Sequence, residues 1–265
     1  MCEFFQVSRS GYYSFLKRRA HPNRESVLLE LIQECRDSGK YMRTYGCRRI
    51  QIWIECQYGE HYNYKTVWRV MHKYGLFSKI RRKRFFNCGE QTYTYPNLLN
   101  RNFHADEPNQ KWVTDISYIP TSQGVLYLSI IQDLFDHRIV AYKTSAYQNI
   151  KLVLDTIRSA MERETVTAEL QLHSDQGFQY ASQSYFALTQ QCGITPSMSR
   201  RANPYDNAMA ENFFSIFKCE CIRIEKPTTL QKARTLIDEY IHFYNFDRIQ
   251  LNFKRSPFQM HSFIE

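Results

Sequence analysis

Three acidic residues of this 265-residue chain occupy positions from which carboxylates could support metal-assisted chemistry. Asp115 lies within the strand-like segment 112–119, where aspartate has a low strand propensity and is costly if buried without a partner. Asp175 follows another short strand-like segment, and 35 residues (176–210) separate it from Glu211 on a predicted helix. Two Mg²⁺ ions about 3.5–4 Å apart, held by oxygen ligands, can activate an attacking oxygen and stabilise a leaving one in phosphodiester chemistry. We therefore expect Asp115 to bridge two ions, with Asp175 and Glu211 each holding one.

Each position also has an ordinary structural explanation. Asp115 could face water on an edge strand, and Asp175 belongs to a Ser-Asp-Gln-Gly stretch typical of turns, in which Gly177 can accept a positive φ. Glu211 could belong to the polar stripe of a plain amphipathic helix, opposite an apolar stripe of phenylalanines. That polar stripe comprises Asn207, Glu211, Ser215 and Lys218. The residues alone leave both explanations open.

The elements that must position these residues follow from the local patterns. Strands are predicted over 112–119, where Pro120 ends the strand, and over 125–133, 138–144, 170–173 and 194–197. Helices are predicted over 149–163, 182–190, 205–221 and 229–246. The first three strands are close enough in sequence for an antiparallel meander, and the whole order indicates a mixed α/β sheet with helices on both faces. The first and fourth strands are commonly neighbours in such sheets, which would bring Asp115 and Asp175 together.

The basic charge of the chain is concentrated in its first part. Residues 1–104 hold 19 Lys+Arg and 8 Asp+Glu, a net charge of +11, whereas residues 105–265 hold 16 and 18, a net charge of −2. Helices are predicted over 24–38 and 47–56 and from a cap at Asn63 to Gly75, with Tyr74 among the inward-facing residues. This pattern favours a helix-turn-helix that binds nucleic acid, with a charged helical bundle as the alternative. The candidate DNA-binding cations on these helices are Arg48, Arg49, Lys65, Arg69 and Lys73.

A run of four cations, Arg81, Arg82, Lys83 and Arg84, follows these helices and precedes two phenylalanines. It could follow a DNA backbone or serve only as a solvated tether. We predict a helical, basic region over 1–80, a basic and polar linker over 81–107, and a catalytic core with C-terminal helices over 108–265.

Several classes of protein are disfavoured by the sequence. No apolar run is long enough for a membrane span, and the N-terminus lacks the layout of a secretory signal. The eight cysteines are scattered without a C-x-x-C pair, so we expect reduced thiols in a cytoplasmic protein rather than disulfides or a zinc site. There is no nucleophile elbow, Walker loop or dinucleotide-binding glycine pattern.

The ordered motifs of the chain resemble those of DDE transposases of the insertion-sequence three family, whose cores are akin to retroviral integrases. The motifs are Trp112-x-Thr-Asp-Ile-Ser-Tyr118, His173-Ser-Asp-Gln-Gly-x-Gln-Tyr180, and the segment 197–218 with Asn-Pro-Tyr-Asp-Asn-Ala-x-x-Glu211. The gap of 35 residues between Asp175 and Glu211 matches the spacing of that family. Further similarity lies in Tyr45-Gly-x-Arg-Arg-Ile50, Tyr240-Ile-x-Phe-Tyr-Asn245 and Arg248.

The resemblance implies a ribonuclease-H-like α/β core, preceded by an all-α helix-turn-helix-like domain, with Asp115, Asp175 and Glu211 as ligands of two Mg²⁺ (or Mn²⁺) ions. It implies cleavage that frees a 3′-hydroxyl at a transposon end, followed by strand transfer. Lys218 would meet a DNA phosphate, and Asn207 would sit at the rim of the site and contact DNA or the glutamate. The expected partners are double-stranded DNA, further copies of the chain in a synaptic complex on the bacterial nucleoid, and the upstream-frame product of the same element, fused or separate.

Two other functions fit the same fold. A non-catalytic DNA-binding regulator would keep the domains but has no use for three converging carboxylates. A structure-selective nuclease would keep the carboxylates without strand transfer, and the basic N-terminal region and the transposase motifs favour transfer over simple hydrolysis.

Overall fold

The computed structural model describes residues 8–20, 24–79, 95–166, 169–200 and 206–262. The chain divides into two compact units, Met1–Lys79 and Ile80–Glu265, and each is described by itself. The predicted bounds at 80/81 and 107/108 stay predictions.

The first unit is helical, as predicted. Its helices are α1 (Arg9–Ala20), α2 (Arg24–Asp37), α3 (Cys47–Tyr58) and α4 (Tyr64–Lys73), with a 3₁₀ turn at Met42–Thr44. The predictions at 24–38 and 47–56 agree with α2 and α3, whereas α1, whose described side chains are exposed, was not predicted. Gly59 ends α3 with φ +68°, a conformation that glycine adopts without the strain a Cβ would add.

Helices α2, α3 and α4 share one apolar core. The buried side chains of that core are Leu28, Ile32, Cys35, Ile50, Ile54, Val67, Val70 and Met71. Asn63 caps α4 as predicted, because its Oδ1 accepts a hydrogen bond from the backbone N–H of Lys65 at 2.9 Å. The predicted inward position of Tyr74 is wrong: this side chain is exposed and its hydroxyl donates to Glu25 at 3.2 Å.

The second unit is built on a five-stranded mixed sheet. Its strands are β1 (Lys111–Thr121), β2 (Gly124–Asp133), β3 (Ile139–Ser145), β4 (Leu170–Ser174) and β5 (Ile194–Met198), in the spatial order β3-β2-β1-β4-β5. The predicted meander is confirmed, since β1–β2 and β2–β3 are antiparallel. Pro120 does not end β1 as predicted; it lies inside the strand opposite Val125, two residues before the turn at residues 122–123.

Helices cover both faces of the sheet. They are α5 (Ile150–Arg163), α6 (Gln183–Gln191), α7 (Ala208–Phe217), a π-helical turn (Lys218–Ile222), α8 (Arg223–Glu225), α9 (Leu230–Phe246) and α10 (Pro257–His261). Val153 of α5 and Tyr185 of α6 pack with Trp112 on one face, and Ala210 of α7 packs with Val113 on the other. The helix predicted over 205–221 is therefore shorter, because the π-helical turn interrupts it after Phe217.

The C-terminal part is tied to the sheet and to the π-helical turn by buried polar contacts. The amide of Asn245 in α9 accepts from the N–H of Ile139 at 2.9 Å and donates to its carbonyl at 3.0 Å. The guanidinium of Arg248 donates to both carboxylate oxygens of Glu220 at 2.9 and 2.8 Å, and both residues are buried. Tyr240 donates to the same carboxylate at 2.7 Å. Helix α9 and the π-helical turn therefore form one anchored unit.

Two further observations apply only to the residues that the structure describes. No helix there is long and apolar enough to cross a membrane. The cysteines of this part of the chain, six in number, are free thiols, as the sequence predicted.

Candidate active site

Strands β1 and β4 bring Asp115 and Asp175 to one place. The parallel pairing of these strands runs from Lys111–Gln171 to Val113–His173. Beyond that pair β1 continues in the ladder with β2, whereas β4 ends at Ser174, so the side of β1 that faced β4 becomes open. Because β1 is the central strand, Asp115 does not lie on an edge strand. The first and fourth strands are therefore neighbours in the sheet, as the sequence predicted.

Asp115 and Asp175 line a single open cavity of about 660 Å³. Both are half-buried. Its other lining residues are Ile116, Gln148, Gln176, Gly177, Phe178, Gln179, Tyr180 and Ala181. Gln148, Gln176 and Phe178 were not singled out from the sequence. The signal available for Gln148 was its place directly before the Asn149 cap of α5.

Gly177 supports Asp175 through close approach. The N–H of Gly177 donates to Oδ1 of Asp175 at 2.9 Å, which closes a tight turn after β4. A Cβ at position 177 would lie 2.9 Å from that same Oδ1 and 3.0 Å from Oε1 of Gln179. The φ of Gly177 is not positive, so backbone conformation does not require glycine here. Glycine is required instead because a Cβ would approach Asp175 too closely. The same hydrogen bond thus closes the turn and holds the Asp175 carboxylate in position.

The carboxylates of this cavity affect one another electrostatically. Burial raises the pKa of Asp115 well above its usual value, and the charges of Asp175 and Glu211 raise it further. The Ile116 N–H, which donates to Asp115 Oδ1 at 2.7 Å, and the charge of Lys218 act in the opposite direction on this pKa. Burial also raises the pKa of Asp175. Asp115 therefore lies within electrostatic reach of Asp175, Glu211 and Lys218.

Helix α7 presents Glu211 in its first turn as an exposed side chain. The opposite face of the helix is fixed by aromatic packing: Phe213 and Phe217 stack at 6.2 Å, and Phe213 meets Tyr244 of α9 edge to face at 4.8 Å. The apolar phenylalanine stripe predicted for this helix is buried, and its polar stripe carries Glu211.

Asn207 differs from its expected position at the rim of the site. It is 3% exposed, and its Nδ2 donates to the carbonyl of Thr114 on β1 at 3.3 Å. The backbone carbonyl oxygen of Asn207 accepts a hydrogen bond from the backbone N–H of Glu211 at 3.3 Å. In this structure Asn207 therefore joins the start of α7 to the strand that carries Asp115, and its expected contact with DNA stays a prediction.

Lys218 lies beside the aromatic ring of Tyr118. Its Nζ is 4.4 Å from the ring centroid, a distance typical of a cation–π contact. Lys218 follows α7 at the start of the π-helical turn, and Tyr118 is three residues after Asp115 on β1. Tyr118 was not singled out as a site residue, because its contact partner is 100 residues away in sequence (118 to 218).

His173 is buried and has an ordering role in the structure. Its Nδ1 is 2.8 Å from Oγ of Ser197 and its Nε2 is 3.2 Å from Oγ of Ser199. Burial lowers the pKa of His173 to about 4, so the ring is neutral at pH 7. Through these contacts it joins β4 to the end of β5, two residues before Asp175.

The chemical type of the three acidic side chains fits a hard divalent cation, and two of them, Asp115 and Asp175, line the cavity. Asp115, Asp175 and Glu211 offer carboxylate oxygens, the ligands that Mg²⁺ prefers. A cation would relieve the repulsion among these groups, which adds to burial in raising the pKa of Asp115. Within the described ranges, however, no three His, Cys, Asp or Glu side chains are grouped closely enough to hold a metal ion. Asp115 and Asp175 share the cavity, whereas Glu211 lies outside its lining.

The candidate DNA-binding cations of the first unit are mostly at its surface. Arg48, Lys65, Arg69 and Lys73 are exposed, and Arg49 is half-buried. The guanidinium of Arg48 lies 5.3 Å from the ring centroid of Tyr64, and that of Arg49 lies 5.8 Å from Tyr45. Lys73 forms an ion pair with Glu25, so part of its charge is already compensated. Arg81, Arg82, Lys83 and Arg84 lie outside the described residues.

Comparison with known protein families matches three segments of the chain. Residues 22–84 match a family model described as an HTH-like domain. Residues 105–204 and 211–262 match two models that are each described as an integrase core domain. The first integrase segment contains Asp115 and Asp175, and the second begins at Glu211.

Two curated relatives and one solved structure extend the comparison. The chain is 33% identical over 250 residues to the putative transposase InsK for insertion sequence element IS150 of Escherichia coli (strain K12), covering 94% of this chain and 87% of that protein. It is also 33% identical over 250 residues to the transposase InsF for insertion sequence IS3A of the same strain, covering 91% of this chain and 85% of that protein. The fold is similar to that in a cryo-electron microscopy structure of the simian T-cell lymphotropic virus intasome in complex with PP2A regulatory subunit B56 gamma. The TM-score is 0.52 at 14% identity, with 80% of this chain and 70% of that chain covered.

Proposed function

Because the chain belongs to the insertion-sequence three family of transposases, we propose that it catalyses Mg²⁺-dependent 3′-end cleavage and strand transfer of its insertion sequence. A transposase with an integrase core and a helix-turn-helix-like domain acts in DNA transposition and binds DNA. We propose in addition the metal dependence, the two chemical steps and the roles of individual residues. The observation that carries it is the shared cavity of Asp115 and Asp175, with Glu211 within electrostatic reach of Asp115.

We infer that Asp115, Asp175 and Glu211 hold two divalent ions, Mg²⁺ or Mn²⁺. When bound, such ions supply charge neutralisation at the phosphate and activation of the attacking oxygen. Asp115 and Asp175 are fixed by the sheet and by the turn at Gly177, so they form the preorganised part of the ligand set. Glu211 completes the set by reorientation of its exposed side chain, a motion that takes nanoseconds or less for surface rotamers.

Both proposed steps exchange one P–O bond for another. In the first, a water oxygen bonds to the phosphorus at the transposon end, the bond to the leaving 3′-oxygen breaks, and that oxygen leaves as a 3′-hydroxyl. In the second, the freed 3′-hydroxyl oxygen bonds to a target phosphorus and displaces a 3′-oxygen of the target strand. Lys218, whose charge acts on Asp115, would offset phosphate charge near the reacting bond. Neither step requires a covalent nucleophile from the protein.

The partners follow from this chemistry. Joining two transposon ends to one target requires several copies of the chain on DNA, so we propose a homomultimeric synaptic complex. We also propose that the chain associates with the upstream-frame product, fused or separate. The exposed cations of the first unit and the run Arg81, Arg82, Lys83 and Arg84 are proposed to bind DNA phosphates. The protein would act on bacterial DNA and hence in the cytoplasm, at the nucleoid.

A strand-transfer assay on DNA from the borders of the element tests the proposal. A labelled end fragment, a target plasmid and Mg²⁺ are incubated with the chain, with and without the upstream-frame product. We expect cleaved ends carrying a 3′-hydroxyl and labelled end–target products, both lost with EDTA. Cleavage without any joining would favour the nuclease alternative, and binding without cleavage would favour the regulator.

A further inference from the structure

Tyr118 is an exposed aromatic residue that has no role in the reaction proposed above. It lies on β1, three residues after Asp115, and 60% of its surface is accessible to solvent. Exposed single aromatics are common on proteins, so exposure alone carries no function. What distinguishes Tyr118 is the Nζ of Lys218, which lies 4.4 Å from the centre of its ring.

The contact joins two separate elements of the site. Tyr118 belongs to the central strand, which is fixed by the ladder with β2 and is paired there with Tyr127. Lys218 begins the π-helical turn, which is anchored through Glu220 to Arg248 and Tyr240. Both backbones are therefore held firmly, and the flexible part between them is the four-carbon stem of Lys218.

A lysine stem has many rotamers, and an ammonium group that must act at one point benefits from a fixed position. The negative face of an aromatic ring provides such a position without neutralising the charge, as a carboxylate partner would. The charge of Lys218 lowers the pKa of Asp115, although less than burial and the charge of Asp175 raise it, so the ammonium group lies within electrostatic range of that carboxyl group.

We propose that Tyr118 is a positioning residue for the strand-transfer site: its ring holds the Lys218 ammonium near the end of β1, beyond Asp115, where the group meets the reacting phosphate. This inference rests on the proposed function. It assigns no contact between Tyr118 and the reacting atoms, because the residue acts through Lys218.

A double-mutant cycle on end cleavage tests the inference. Tyr118→Leu removes the ring, Tyr118→Phe keeps it, and Lys218→Met removes the charge while keeping a stem of similar length. We expect Tyr118→Leu to lower kcat about tenfold with KM for end DNA within about twofold, since the charge remains but its position is lost. Tyr118→Phe should stay within about twofold of the wild type, because the phenylalanine ring also binds cations. In the Lys218→Met background, Tyr118→Leu should cause no further loss.

Two results of the cycle would overturn the inference. If the losses of Tyr118→Leu and Lys218→Met multiply, the ring acts on DNA independently of the lysine. If Tyr118→Leu cleaves at the wild-type rate, the ring has no role. Absence of cleavage by the wild-type chain would instead overturn the proposed function and this inference with it, so the two failures are distinguishable.

A measurement without DNA tests the geometry itself. After reductive ¹³C-methylation of lysines, the methyl signal of Lys218, assigned by its loss in Lys218→Met, should be shifted upfield by the ring current of Tyr118. The shift should persist in Tyr118→Phe and disappear in Tyr118→Leu. A Lys218 signal at the random-coil position in the wild-type protein would contradict the contact.

Discussion

Asp115 and Asp175 each lie two residues beyond Val113 and His173, the last directly paired residues of the parallel strands β1 and β4. This register makes the two carboxylates neighbours at the place where β4 ends and the side of β1 opens. A shift of the register by one residue would turn one of them to the opposite face of the sheet. The pairing of β1 with β4 is therefore the structural basis of the candidate site.

The turn after β4 yields a prediction for Gly177. In Gly177→Ala the added Cβ would lie 2.9 Å from Oδ1 of Asp175, which forces the carboxylate or the turn to move. Because displacements of about 1 Å in a catalytic constellation can reduce rates about a hundredfold, we expect end cleavage to fall between about ten- and a hundredfold. DNA affinity, measured by fluorescence anisotropy, should stay within about twofold.

Gly46→Ala is the matched control. A Cβ at Gly46 would meet no atom within 4 Å, and its φ of −86° is ordinary for any residue. This variant should cleave at the wild-type rate. Wild-type cleavage by Gly177→Ala as well would mean that the Asp175 carboxylate does not depend on this turn.

The buried pair of Glu220 and Arg248 yields a prediction for stability. Arg248→Met leaves the Glu220 carboxylate buried without its bidentate partner, and such a loss typically costs about 3–5 kcal/mol of the free energy of unfolding. Urea denaturation monitored by circular dichroism measures the change. In the double variant Glu220→Met/Arg248→Met, where no unpaired charge remains, most of the stability should return.

An exposed ion pair provides the control for that measurement. Arg158 and Asp155 on α5 form an i,i+3 pair at 3.2 Å near the surface. Arg158→Met should change the free energy of unfolding by no more than about 1 kcal/mol. If Arg248→Met were no more destabilising than Arg158→Met, the buried pair would not anchor the C-terminal segment.

The basic run after the first unit yields a prediction for DNA binding. Replacing Arg81, Arg82, Lys83 and Arg84 with glutamine should weaken binding to end DNA and flatten its salt dependence. Each lost phosphate contact reduces the slope of log K against log salt by about 0.9. A control variant replaces four exposed cations of the second unit: Lys151, Arg158, Lys232 and Lys254. An unchanged slope in the first variant, or equal slopes in the two, would make the run a tether.

Much of the fold could be predicted because its signals are local. The alternation and turn residues of 112–144 specified the meander, and the cap at Asn63 specified where α4 begins. The proximity of Asp115 and Asp175 could be predicted from the strand order alone. The exposed face that carries Glu211 followed from the spacing of the phenylalanines.

The remaining features depend on contacts that sequence spacing does not contain. The burial of Asn207 depends on the carbonyl of Thr114, 93 residues earlier. The contact of Tyr118 with Lys218 joins a strand to a π-helical turn, and the turn itself breaks the 3.6-residue period of the predicted helix. For Gly177, the turn was predicted but its cause was wrong, because steric proximity to Asp175 depends on coordinates rather than on residue type.

The most direct test of the central claim is strand transfer by Asp115→Asn, Asp175→Asn and Glu211→Gln. Each change removes a carboxylate charge with little change of shape, and Asp238→Asn, on an exposed residue of α9, is the matched control. Joined products are quantified in Mg²⁺ and DNA binding is measured in parallel. We predict that all three single variants bind end DNA with wild-type affinity and form no joined product, while Asp238→Asn joins normally. Joining at the wild-type rate by any of the three would contradict the assignment of these carboxylates as the metal ligands of the reaction.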